Sequence, residues 1–153
     1  MTRLEDGMVP FIALIGGFVI FRVLGLVGID VLDGWQPALR GALALMFVFT
    51  GVPHFLRSWR RDFVAMIPAV FPRPALLVTV TGVLELAGAA GLLIPPVAPF
   101  AAIGLALLMV AMFPANVSAA RRGLTLAGKP VTPLPVRTAL QVLFIAAAIA
   151  AAV

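Results

Sequence analysis

The chain has no cysteine and no tyrosine, a single histidine and only six carboxylates among its 153 residues. Without cysteine there is no structural disulfide, no thiol relay, no thiolate-held iron–sulfur cluster and no cysteine nucleophile. One histidine cannot supply bis-histidine haem ligation or a histidine-rich zinc site, so no metal centre is expected. A Met–His haem pair stays formally open with six methionines, but a lone histidine near a helix end is more often a packing or hydrogen-bonding residue. Charge is scarce too: 11% of residues are charged and 63% hydrophobic, against roughly 25% charged in soluble domains. That balance belongs to an integral membrane protein.

The formal charge of +5 would suit nucleic acid, but the cations lie in connections between apolar runs, where they set topology. Membrane lipid, not nucleic acid, is the expected surrounding. Ten Arg against one Lys, with abundant Ala, matches the usage of a high-GC bacterial genome and suggests a bacterial cytoplasmic membrane.

Five apolar spans are expected, at about 9–29, 38–55, 75–94, 100–117 and 134–153, in a single membrane domain. The first lacks a small-residue cleavage site and should remain as a helix. Between the second and third, residues 56–73 are too basic to cross. There Phe55, Trp59, Phe63, Met66 and Val70 recur at helical spacing while Arg57, Arg60 and Arg61 lie elsewhere, as in a helix on the membrane surface. Pro114, without an N–H and clashing with the Val110 carbonyl, should kink or loosen the fourth span near its end. One set of connections carries Arg3, Arg57, Arg60, Arg61, Arg73, Arg121, Arg122, Lys129 and Arg137; the other side claims only Arg22 and Arg40. The positive-inside rule then places the N-terminus in the cytoplasm and the C-terminus outside.

The third span, LLVTVTGVLELAGAAGLLI, carries Glu85 near its middle. A carboxylate at that depth costs about 3 to well over 10 kcal/mol unless it is partnered. Thr81, Gly82, Gly88 and Ala89 share its helix face, a small-residue strip on which another helix can approach. Counting about 1.5 Å per residue from the cytoplasmic edge puts Glu85 about 16 Å deep, Arg22 about 20 Å and Arg40 about 24 Å. An intramembrane ion pair of Glu85 with Arg40 or Arg22 is therefore expected, serving either helix register or ligand and proton handling. A second polar set gathers where spans two, four and five meet the cytoplasmic edge: His54, Asn116, and Arg137 with Gln141, four apart on one face. It can form a polar cluster, or His54 and Asn116 can simply satisfy carbonyls loosened around the proline break.

In order, G-V-P-H-F at 51–55, M-I-P-A-V-F-P-R-P at 66–74, T-G-V-L-E-L-A-G at 81–88, F-P-A-N at 113–116 and R-T-A-L-Q at 137–141 resemble the DoxX-like family of small bacterial membrane proteins. The resemblance covers about 39–148. It implies an all-α, polytopic membrane four-helix bundle, here with one additional N-terminal transmembrane helix, and puts Glu85, His54, Asn116 and Gln141 at the family's characteristic polar positions. The family takes its name from a subunit of a terminal quinol oxidase, and some members belong to membrane oxidoreductase complexes. Thr-Ala stands where the fifth-span motif usually has Leu-Pro.

Three functions are weighed. An accessory, redox-associated membrane subunit would hold a quinone or lipid-like ligand in its bundle, with no cofactor borne by the chain itself, and would work beside oxidoreductase partners or as a homo-oligomer. A small transporter or proton pathway would use Glu85; the absence of an inverted repeat argues mildly against it. An enzyme ranks last, for want of a nucleophile with a base.

Overall fold

The computed structural model describes residues 5–153, so the expected contribution of Arg3 to the charge pattern lies outside the described residues. The chain is all-helical, with α1 (Glu5–Leu26), α2 (Trp35–Gly51), α3 (Arg57–Met66), α4 (Pro74–Leu92), α5 (Ala98–Arg121) and α6 (Leu134–Ala152). A short 3-10 turn, Val52–Phe55, continues α2, and a two-residue hairpin pairs Thr125–Leu126 with Lys129–Pro130. All but α3 are long and apolar enough to cross a membrane.

Prolines mark the beginnings. Pro74, Pro99 and Pro135 sit in the first turns of α4, α5 and α6, where a missing N–H is no loss. Pro114 does not end α5: the helix runs on to Arg121, past the expected boundary at 117. The hairpin occupies part of the expected basic loop, and its tip places Ala127 and Gly128 at positive φ.

α2 is the hub. It packs on α1, α4 and α6, and α5 lies against both α4 and α6. Their shared core holds Leu43, Met46 and Phe47 of α2, Leu92 of α4, Leu105 of α5 and Ala148 of α6. From α1, Leu14 joins this core. Large apolar side chains such as Ile12, Ile20, Phe100, Leu107 and Val142 face outward instead. Bulky residues outside and small ones between helices is the pattern lipid imposes, since burial between helices gains little over burial in acyl chains.

Close approach fixes how α2 and α4 are staggered. A Cβ on Gly51 would stand 3.2 Å from Glu85 Cβ, and one on Gly82 would stand 2.6 Å from His54 Cβ. Glu85 is thus level with the end of α2, and α4 starts eight residues, about 12 Å, beyond the level of His54. Because His54 Cβ is anchored to its backbone, it cannot swing away from an added methyl. Gly82→Ala is expected to destabilise by about 1–3 kcal/mol through overpacking. Gly104→Ala, where a Cβ would meet nothing within 4 Å, is expected to be neutral or mildly stabilising. Thermal unfolding of the two variants in detergent checks the contrast; equal midpoints would refute the α2–α4 stagger.

Candidate functional site

Glu85 is buried, with 2% of its surface exposed, and Thr50 Oγ1 donates to its Oε2 at 2.7 Å. Thr50 belongs to α2, one residue before Gly51, whose missing side chain lets the two helices come this close. The expected ion pair does not form. Arg40 Nε donates to the Ala151 carbonyl at 2.9 Å, satisfying an otherwise open group at the end of α6. Arg22 Nη1 lies 3.8 Å from Asp33 Oδ1, in the connection after α1. No cation stands within salt-bridge distance of Glu85 among the described residues.

The cause is the stagger. Depths counted from Pro74 and from Leu56 share one origin only if the two helix ends are level, and they are not. With Glu85 beside Gly51, Arg40 sits eleven residues, about 16 Å, farther along α2. An Arg side chain reaches only several ångströms and cannot span that gap.

The second polar set comes together. Arg137 Nη1 donates to Asn116 Oδ1, joining α6 to α5. One turn deeper, Gln141 Nε2 donates to the Met109 carbonyl at 2.5 Å. Gln141 therefore bonds the carbonyl one residue before Val110, whose own carbonyl Pro114 leaves without an N–H, and Asn116 accepts from a guanidinium. His54 is also buried, at 7% exposure, and its ring packs on Phe63 of α3 with centroids 4.5 Å apart. The Gly51 backbone lies near the ring outside hydrogen-bond geometry, and His54 Nδ1 has no partner. Arg137 Nε is likewise buried and unpartnered.

These two sets, separate in the sequence, line one cavity of about 550 Å³. Its polar rim includes Thr50, His54, Thr81, Glu85, Asn116, Thr132, Arg137 and Gln141, and most of the remaining wall is apolar. That volume and mixture are those of a small-molecule site. Arg40 and Arg22 are not part of it.

α3 roofs the basic end of the cavity with Trp59, Phe63 and Met66. Five hydrogen bonds tie it down. Arg60, expected on the outward face, turns inward to donate to the carbonyls of His54 and Ala75 and to Thr79 Oγ1, at 3.1, 2.9 and 2.8 Å. Arg122 donates to the Ala65 carbonyl at 2.8 Å, and Ala127 N to Asp62 Oδ2 at 2.8 Å, so the hairpin holds the other side. Val70, expected on the packed stripe, is 82% exposed, because α3 stops at Met66.

Two contributors were missed. Thr50 gives no signal in an apolar run, since a lone threonine there commonly bonds its own helix. Arg60 differs from its neighbours Arg57 and Arg61 only in standing on the α4 side of α3.

Glu85→Gln keeps an oxygen to accept from Thr50 and nearly the same volume, so its unfolding midpoint in detergent should stay close to that of the parent. Glu85→Ala leaves the Thr50 hydroxyl without its carboxyl partner and should lower stability by about 1–3 kcal/mol. Equal losses in the two variants would contradict a buried, hydrogen-bonded acid.

No curated protein and no solved structure matches the chain. A family model described as a domain of unknown function (DUF8561) matches residues 43–152, a stretch that holds every polar residue named on the cavity rim and leaves out α1. The chain belongs to the DUF8561 family.

Proposed function

We propose that this protein is an accessory, redox-associated membrane subunit that holds a quinone or another lipid-like molecule within its helices. On this reading α2, α4, α5 and α6 are a DoxX-like four-helix bundle and α1 is an added span. The protein crosses a bacterial cytoplasmic membrane five times, with its N-terminus in the cytoplasm and its C-terminus outside. The single supporting observation is the shared cavity: Glu85 and the His54–Asn116–Arg137–Gln141 set face the same apolar space of about 550 Å³. An apolar hollow with a few convergent polar groups suits a membrane-soluble ring or headgroup, which needs orientation more than affinity. Membrane oxidoreductase partners or a second copy of the chain would complete the unit.

A second reading has its own support. Glu85 faces the cavity with a neutral hydroxyl as its partner and no cation in reach among the described residues. A carboxyl so placed is open to a proton or a small cation, as in a permeation pathway.

Native mass spectrometry of the protein released from lipid nanodiscs separates the two. The expected result is a retained adduct that organic extraction identifies as a quinone or lipid. Absence of any adduct, together with proton flux into liposomes that Glu85→Gln abolishes, would replace the first reading by the second.

A further inference from the structure

The polar groups of the cavity are arranged in two tiers. A Cβ on Gly88 would run into the Leu105 side chain, so these two residues are level across α4 and α5. Glu85 lies three residues from Gly88 and Met109 four from Leu105, both toward the basic end, which puts them within about 2 Å of one depth. The deep tier is therefore Glu85 with Thr50 on one wall and Gln141, bonded to Met109, on the other. His54 stands level with Gly82, three residues nearer the basic end than Glu85. Arg137, bonded to Asn116, stands one turn nearer that end than Gln141. The shallow tier is His54 facing Arg137, and the tiers are about one helical turn, 5.4 Å, apart.

The shallow tier holds two unanswered polar atoms, His54 Nδ1 and Arg137 Nε. Both residues line the cavity. The guanidinium nitrogen can only donate, and imidazole can donate through whichever nitrogen carries hydrogen. A buried donor without a partner loses about 1–3 kcal/mol that an incoming acceptor restores. The deep tier differs in kind: a carboxyl there can accept from a hydroxyl or exchange its proton.

Resting on the reading of the cavity as a lipid-soluble ligand site, we propose that it takes a planar ring with oxygens at opposite ends, a quinone or its quinol. One oxygen accepts from Arg137 Nε beside His54; the opposite oxygen accepts from the protonated Glu85 carboxyl when the ring is a quinone, and donates its hydroxyl hydrogen to the Glu85 carboxylate when it is a quinol. Para oxygens on a six-membered ring are separated by about the distance between the tiers, so one ring reaches both. Apolar residues of α1, Val9 and Pro10, line the same cavity. They give the ring's aliphatic tail an apolar wall that the family match does not include.

Trp59 lines the cavity and Trp35 does not, so a Trp35→Phe chain reports on the site by fluorescence. Decylubiquinone titrated into this protein in nanodiscs is expected to quench Trp59 saturably. Decylbenzene, with the same tail and no ring oxygens, is expected to compete at least about tenfold more weakly. Arg137→Lys, which keeps the charge without Nε, and His54→Phe, which keeps the stacking on Phe63, are each expected to weaken quinone binding about fivefold or more. If decylbenzene competes as well as the quinone, the two-tier assignment is overturned while an apolar lipid site stands. That comparison needs no variant at either site residue. If neither compound binds saturably, both the assignment and the underlying reading fall.

Discussion

A carboxyl buried between helices long and apolar enough to cross a membrane, answered by one hydroxyl, is the constraint on which the rest of this structure depends. Glu85 can occupy that position because Gly51 and Gly82 remove the side chains that would hold α2 and α4 apart. Close approach brings Thr50 into hydrogen-bonding range. It also sets the stagger of the two helices, and the stagger decides everything else about the site. It withdraws Arg40 to the far end of α2, where the guanidinium closes the end of α6. It also lifts the beginning of α4 past the end of α2, so that Arg60 of α3 finds the Ala75 carbonyl and Thr79 within reach.

The cavity follows from the same geometry. Its α2–α4 wall offers an acid and a histidine; its α5–α6 wall offers an amide and a guanidinium, held by Met109 and Asn116. Neither wall leaves its polar side chains wholly satisfied, since His54 Nδ1 and Arg137 Nε remain open. Buried donors without partners are uncommon in a finished core and expected where a ligand supplies the missing acceptor. The roof, by contrast, is well fastened, with side-chain bonds from α3 to α4, to the end of α5 and to the hairpin. A tied roof over an open interior separates the cavity from the basic surface above it.

Much of this was legible in the sequence, and what was not has a physical reason. Hydropathy and proline punctuation give the five long helices to within a few residues, because lipid demands length and apolarity of each span separately. The inward face of Glu85 follows from its small-residue strip, and His54, Asn116, Arg137 and Gln141 follow from their place at one end of the spans. The partner of Glu85 does not follow. Depth along a single helix is readable, but the offset between two helices depends on which glycine meets which side chain. Charge complementarity therefore pointed to Arg40 and Arg22, and the offset gave the acid to Thr50. The last turn of α5, from 118 to Arg121, escaped because hydropathy marks where an apolar run ends, not where the backbone stops winding.

The partnership of Thr50 with Glu85 is tested most directly by a pair of double-mutant cycles on unfolding free energy, one combining Glu85→Ala with Thr50→Val and the other Glu85→Ala with Arg40→Ala. The expected result is a coupling of about 1 kcal/mol or more in the first cycle and additivity within about 0.5 kcal/mol in the second. Coupling confined to the Arg40 cycle would show that the acid is held by a guanidinium after all, and would contradict the helix stagger and the cavity built upon it.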